Sequence, residues 1–294
     1  MRTTDPACSG ARTPGSPSNG ARIGVLNRFK PRFAPRRYLQ AYGVCVRIAF
    51  STATAYRASF MLSSLITLVG NLAFPLITVL IYGAGASFPG WSAYQVLLIQ
   101  SIVTLSSGFT GLALGAVLWV TMDHVREGTL ETVLLKPMHP LLFIVLTTFD
   151  PENIGLILGG GVIFGIAAAG CVTWSAASAA SFLVLFIAGL LVMAGISLLM
   201  AATSFKWVGN SRLPEIASSV ENFGRYPLGI FPVAVRSIVT FVIPVAMVGF
   251  YPAQALLGRG SVAMWAAVPM CVVFFGAGVW LYDHMIRQYQ GVGG

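Results

Sequence analysis

Apolar residues fill this chain in long charge-free runs divided by short polar segments. From 58 to 122, 65 consecutive residues carry no Asp, Glu, Lys or Arg, and from 153 to 205 another 53 carry none. A soluble core does not need such runs, whereas a membrane span does: about 20 apolar residues cross a hydrocarbon layer of roughly 30 Å. Divided at their Gly, Pro and Trp interruptions, the runs predict six spans, near 60–82, 94–120, 154–172, 182–204, 228–250 and 262–282. Ahead of them, 38–58 interleaves aromatic and aliphatic residues with Arg47 and Arg57. That pattern predicts an interfacial helix whose long basic side chains reach the headgroups. The expected fold class is an all-α integral membrane protein: one transmembrane domain, 38–294, in which the interfacial helix precedes six spans.

The interruptions refine this picture. Residues 83–91, GAGASFPGW, read as a turn with an interfacial Trp, and Trp174 to Ser181 as an uncharged turn. Pro75 is expected to kink the first span. Gly111 and Gly115 have the small-xxx-small spacing that lets helices approach, and Gly155, Gly159 and Gly161 enrich the third span in small residues. Asp150-Pro151-Glu152 reads as a helix start, with Asp as cap, Pro in the first turn and both acids at the positive end of the dipole. Pro244 and Pro252 leave two readings of the fifth span. Either it is one kinked crossing, or it ends early and 246–258 forms a re-entrant segment.

Charge then orients the spans. The chain is 56% hydrophobic and 9% charged, with formal net charge +9. Ten of its 18 Lys and Arg residues fall in the first 57 positions, and no acid occurs between Asp5 and Asp123. Residues 1–37 therefore read as a disordered basic tail, without the apolar core of a signal peptide. Arg28, Lys30, Arg32, Arg36, Arg37, Arg47 and Arg57 are expected to contact the anionic inner leaflet. Nucleic acid is the rival partner for a basic arm, but no folded soluble module accompanies this one. With six spans, 17 basic residues share the side of the termini and Arg259 alone lies opposite. The positive-inside rule makes that side the cytoplasm, so the expected location is the inner (plasma) membrane with both termini cytoplasmic.

Between the second and third spans stands a charged island, 125–140, VREGTLETVLLKPMHP, with Arg126, Glu127, Glu131 and Lys136. A charge at the bilayer centre costs about 2.5–3.5 kcal/mol on insertion scales, so the island is held in water by its flanking spans. Catalytic motifs are absent. There is no GxxxxGK[ST] phosphate loop, no GxSxG, no HExxH and no clustered His/Cys set. The four cysteines match no metal or redox spacing, and His124, His139 and His284 fall at polar span ends. Apart from Arg236 in the fifth, the predicted spans also lack the ionisable residues that ion-coupled transporters place at membrane depth. A conformational cycle then needs an external source of free energy, and the island is where it would enter.

The stretch VREGTLETVLLKPMHPLLF resembles the segment between spans two and three of type-2 ABC transporter permeases, and NFGRYPLGIFPVAVRSIVTFVIPVAMVGFYPAQALLG resembles the C-terminal half of six-span bacterial members. The resemblance covers 38–288. It implies a coupling helix that docks on a separate ATPase subunit through Glu127, Gly128, Thr129, Leu130, Glu131, Lys136 and Pro137, and it puts Pro252 to Gly258 on the outer, re-entrant side. It further implies two ATPase subunits, a second identical or paralogous permease, and ATP and Mg on the partner, with no cofactor on this chain. The expected role is a permease subunit of an exporter of hydrophobic or amphipathic cargo. The alternatives are a partner-independent secondary transporter or channel, and a non-transporting scaffold that recruits soluble proteins through the same island.

Overall fold

The computed structural model describes residues 35–136, 138–206 and 212–289. Among them every regular element is helical. Five helices are long and apolar enough to cross a membrane, and a sixth crossing exists if one bent pair counts as a span. The chain is an integral membrane protein.

The interfacial helix, α1, runs Pro35–Ala55, and a break at Tyr56 separates it from α2, Arg57–Gly83. Most of α2 faces outward with apolar side chains such as Leu62, Ile66, Val69 and Leu80. Its inward stripe is Asn71, Phe74, Pro75 and Thr78, at helical i, i+3, i+4 and i+7 spacing. Pro75 stays inside a continuous helix, although it cannot donate to the Asn71 carbonyl one turn back.

The second span starts with a capping box. The Ser92 side chain accepts from the Gln95 amide, and Gln95 returns the bond to Ser92 N–H. It runs as α3, Ala93–Thr110, passes through a π-turn at Gly111–Gly115, and continues as α4, Ala116–Arg126. The π-turn falls where α3 meets the start of the third span, with Gly111 packed against the Asn153 side chain. The charged segment contains α5, Leu130–Leu134, and leads into α6, Pro140–Thr147. Asp150 then caps the third span as its sequence predicts: it accepts from the Glu152 amide at 3.0 Å and the Asn153 side chain at 2.9 Å. A 3₁₀ turn, Pro151–Asn153, opens into α7, Ile154–Cys171.

Helix α8, Ala176–Ser204, is the central post and packs along the last helix, α12, Val262–Gln288. Gly195 and Gly278 let their backbones touch: a Cβ at Gly278 would lie 3.1 Å from the Gly195 carbonyl oxygen. The stretch 174–181, expected as a turn, is mostly helix. A Ser175/Ser178 capping box starts α8 at Ala176, because serines that favour turns also satisfy the first amides of a helix.

The largest departure concerns the fifth span, expected at 228–250. No single helix covers it. The chain instead forms α9, Leu213–Phe223; a 3₁₀ turn at Leu228–Ile230; α10, Val233–Ser237, continued by a π-turn to Val242; and α11, Phe250–Leu256. Val233–Val242 and Val245–Leu256 meet at 77°. Pro227, Pro232 and Pro244 each stand immediately before a new short helix, and each keeps the residue before it out of helical conformation, so the pieces do not join. The bend is buried: the Val248 carbonyl accepts from Ser106 Oγ at 3.2 Å, and Met247 lies against Gly189 of α8.

Candidate functional site: the charged segment at one end of the bundle

Helix α4 ends at Arg126, where the Glu127 amide still donates to the Asp123 carbonyl at 2.9 Å. The chain then turns through Gly128, whose φ of 68° lies in the left-handed region that a β-carbon disfavours. His124 Nδ1 and Thr129 Oγ1, 2.8 Å apart, close the turn, and Thr132 Oγ1 donates to the Thr129 carbonyl at 2.7 Å. The short α5 is amphipathic. Leu130 and Val133, one turn apart, are buried in the core, while Glu131, Thr132 and Leu135 look outward.

This sorts the expected docking residues. Glu127, Gly128, Glu131 and Lys136 are exposed on one ledge and Thr129 is half-buried beneath it. Leu130, also expected among the docking residues, is 0% exposed and anchors the ledge from beneath. Its i, i+3 relation to Val133 carries that signal in the sequence. Leu135, which the sequence reading does not single out, is 84% exposed between Glu131 and Lys136. Lys136 extends over the Phe143 ring, 5.9 Å from its centroid, and Pro137 lies outside the described residues.

The ledge is tied to both ends of the chain. His139 Nε2 lies 3.4 Å from Asp283 Oδ1 on the last turns of α12, an ion pair when the imidazole is protonated. The Tyr42 and Phe50 rings of α1 pack on Phe149, just beyond α6. Thus α1, the ledge and the end of α12 occupy one end of the bundle. Of the expected lipid-contacting residues, Arg47 and Arg57 are exposed, Arg36 and Arg37 fall in the first turn of α1, and Arg28, Lys30 and Arg32 lie outside the described residues.

Behind the ledge, Thr121 Oγ1 and Tyr282 OH pair at 3.1 Å, both fully buried, and Phe205 packs edge-on against the Tyr282 ring. This bond fixes α4 to α12. Tyr282→Phe should cost about 1–3 kcal/mol because it leaves the Thr121 hydroxyl unpaired, and adding Thr121→Val should recover most of that loss. Thermal unfolding of the two singles and the double measures the coupling; strict additivity would rule it out.

One expectation is overturned inside the bundle. Arg225 was counted with the water-facing charges, on spans free of ionisable groups. Its guanidinium is buried instead, bonded to Asn71 near the middle of α2 and to Thr104 of α3. Among the described residues no group of three or more His, Cys, Asp or Glu side chains is arranged to hold a metal. No curated protein matches the chain, and no solved structure does. The sequence model of a family described as ABC-2 family transporter protein matches residues 49–293, which takes in the ledge, all the long apolar helices and the bent pair. The chain belongs to the ABC-2 transporter family and is a membrane component of ABC transport.

Proposed function

We propose that this chain is the permease subunit of an ATP-driven exporter that moves a hydrophobic or amphipathic cargo across the plasma membrane, its ATP and Mg held by a separate ATPase subunit. The observation that carries this reading is the ledge itself. It is a charged, exposed helical turn, pinned from beneath by Leu130 and Val133, at the end of the bundle that also holds α1 and the end of α12. A push on a loosely attached loop dissipates in the loop, whereas a push on an anchored turn moves the helices that anchor it. Both termini are cytoplasmic in this reading, and two copies of the permease, identical or paralogous, join two ATPase subunits. The bent pair 233–256 is re-entrant: Phe250 packs on Trp91 and Arg259 stacks over it, next to the outer turn between the first two spans. Apolar outward faces such as that of α2 meet lipid or the second permease.

Reconstitution tests this directly. Proteoliposomes holding both the ATPase subunit and this chain should show ATP-dependent export of fluorescent amphiphiles, and those holding this chain alone should show none. Transport by the chain alone, driven by an ion gradient and indifferent to ATP, would overturn the proposal.

A further inference from the structure

Arg225 is 5% exposed and follows directly on α9. It reaches two other helices. Nη2 donates to Asn71 Oδ1 at 2.9 Å and Nη1 to Thr104 Oγ1 at 3.4 Å, while Nε donates to Asn222 Oδ1 at 3.0 Å. The guanidinium carbon stands 4.7 Å from the centre of the Phe74 ring. Every acceptor is neutral, and among the described residues no carboxylate comes within the 4.0 Å of an ion pair. Glu221, one helical turn earlier, is near enough to act on it only through space.

The charge needs explaining, because packing alone does not call for one. An apolar side chain of similar length would fill the same space without the desolvation penalty that neutral acceptors repay only in part. A guanidinium differs in having two acceptable surroundings: dry, with its hydrogen-bond acceptors placed, or hydrated. Asn71 lies near the middle of α2, so water reaches this charge only if α9 parts from α2 and α3. In the closed bundle the bonds to Asn71 and Thr104 hold those helices together, and on opening, hydration of the charge replaces the bonds. The free-energy gap between the two states stays small in both directions.

We infer that Arg225 is a positioning residue for the transport step, a reversible tether that closes α9 onto the first two spans and lowers the cost of a water-filled open state. The inference rests on the transporter reading above, and its signature is opposite in sign to that of a residue needed only for packing. The triple variant Arg225→Met, Asn71→Leu, Thr104→Val removes the hydrated alternative without stranding the acceptors on α2 and α3, and Asn71→Asp turns a neutral bond into an ion pair, so both deepen the closed state.

The experiment uses the full permease–ATPase complex in lipid nanodiscs, reading thermal unfolding and backbone deuterium exchange of 220–231, with and without ATP plus vanadate. In the wild type, nucleotide should raise exchange in that segment. The triple variant and Asn71→Asp should raise Tm by roughly 2–4 °C and cut the nucleotide-driven rise by about fivefold or more. Arg225→Lys, which keeps the charge, should retain most of it. A lower Tm for the triple variant, or a wild-type exchange response in Asn71→Asp, would overturn the tether. A wild-type complex with no response to nucleotide counts against the transporter reading instead, and the sign of the Tm change still decides whether Arg225 holds the bundle closed.

Discussion

Changing Glu127 and Glu131 together to arginine is expected to reduce co-purification of the ATPase subunit below detection and to abolish ATP-driven export, while the permease itself stays folded. Both side chains are exposed and project from a turn whose backbone is held by other residues. The fold therefore loses little; surface substitutions of this kind usually fall within about 0.5 kcal/mol. The interface loses far more. Arg126 and Lys136 balance the two acids, so the segment goes from net zero to +4. Like charges brought together at an interface cost several kcal/mol, and about 2.8 kcal/mol is already a hundredfold in affinity. Size exclusion, unfolding temperature and pull-down of the ATPase subunit read the outcome. An unchanged complex with unchanged transport would remove the ledge from the docking surface. Leu135→Ala is the milder companion: it deletes the exposed apolar tip without touching charge, and should weaken docking in proportion to the area it buries.

The second large effect is expected at Gly189, in the middle of the central post. A Cβ there would stand 2.5 Å from the Met247 carbonyl oxygen and 3.1 Å from Val248 Cα. Both are backbone atoms, which cannot turn aside as a flexible side chain does. Gly189→Ala should cost about 1–3 kcal/mol despite the better helix propensity of alanine, since overpacking against backbone moves a whole element. Gly189→Leu should prevent the bend at 245–248 from seating, and with it the Ser106 bond to the Val248 carbonyl. Detergent-solubilised yield and unfolding temperature are the measurements, with Gly161→Ala as control because a Cβ there meets open space. Equal behaviour of Gly189→Ala and Gly161→Ala would mean that the bend does not depend on this approach.

The contrast between those two glycines shows where the sequence is legible. Gly155, Gly159 and Gly161 form one cluster in the third span, and small-residue spacing treats them alike. Gly159 meets Leu68 and Gly155 meets Ser64, yet Gly161 points away from every neighbour. Gly189 belongs to no such cluster, and Gly249, whose missing Cβ leaves room for the Ile99 and Gly224 carbonyls, sits between prolines. Spacing says which glycines share a face of one helix. It does not say which face another backbone will approach.

Arg225 and Leu130 repeat that division at the sites that bear on function. Long charge-free runs, the Asp150 cap and the isolated charged segment could be read in one dimension, because membrane crossing and helix starts depend on residues within about twenty positions of each other. Residues from distant parts of the chain decided the rest. Arg225 is a water-facing charge by its sequence neighbours, and a buried one because Asn71 and Thr104, 154 and 121 positions earlier, supply its acceptors. The run 228–250 has the composition of a span, and it breaks because proline-bounded turns there are covered by α3 and α8. Composition tells a chain what must leave water; which segments then meet, and which polar group finds its partner, depends on side-chain shape across helices, and only the assembled bundle contains that information.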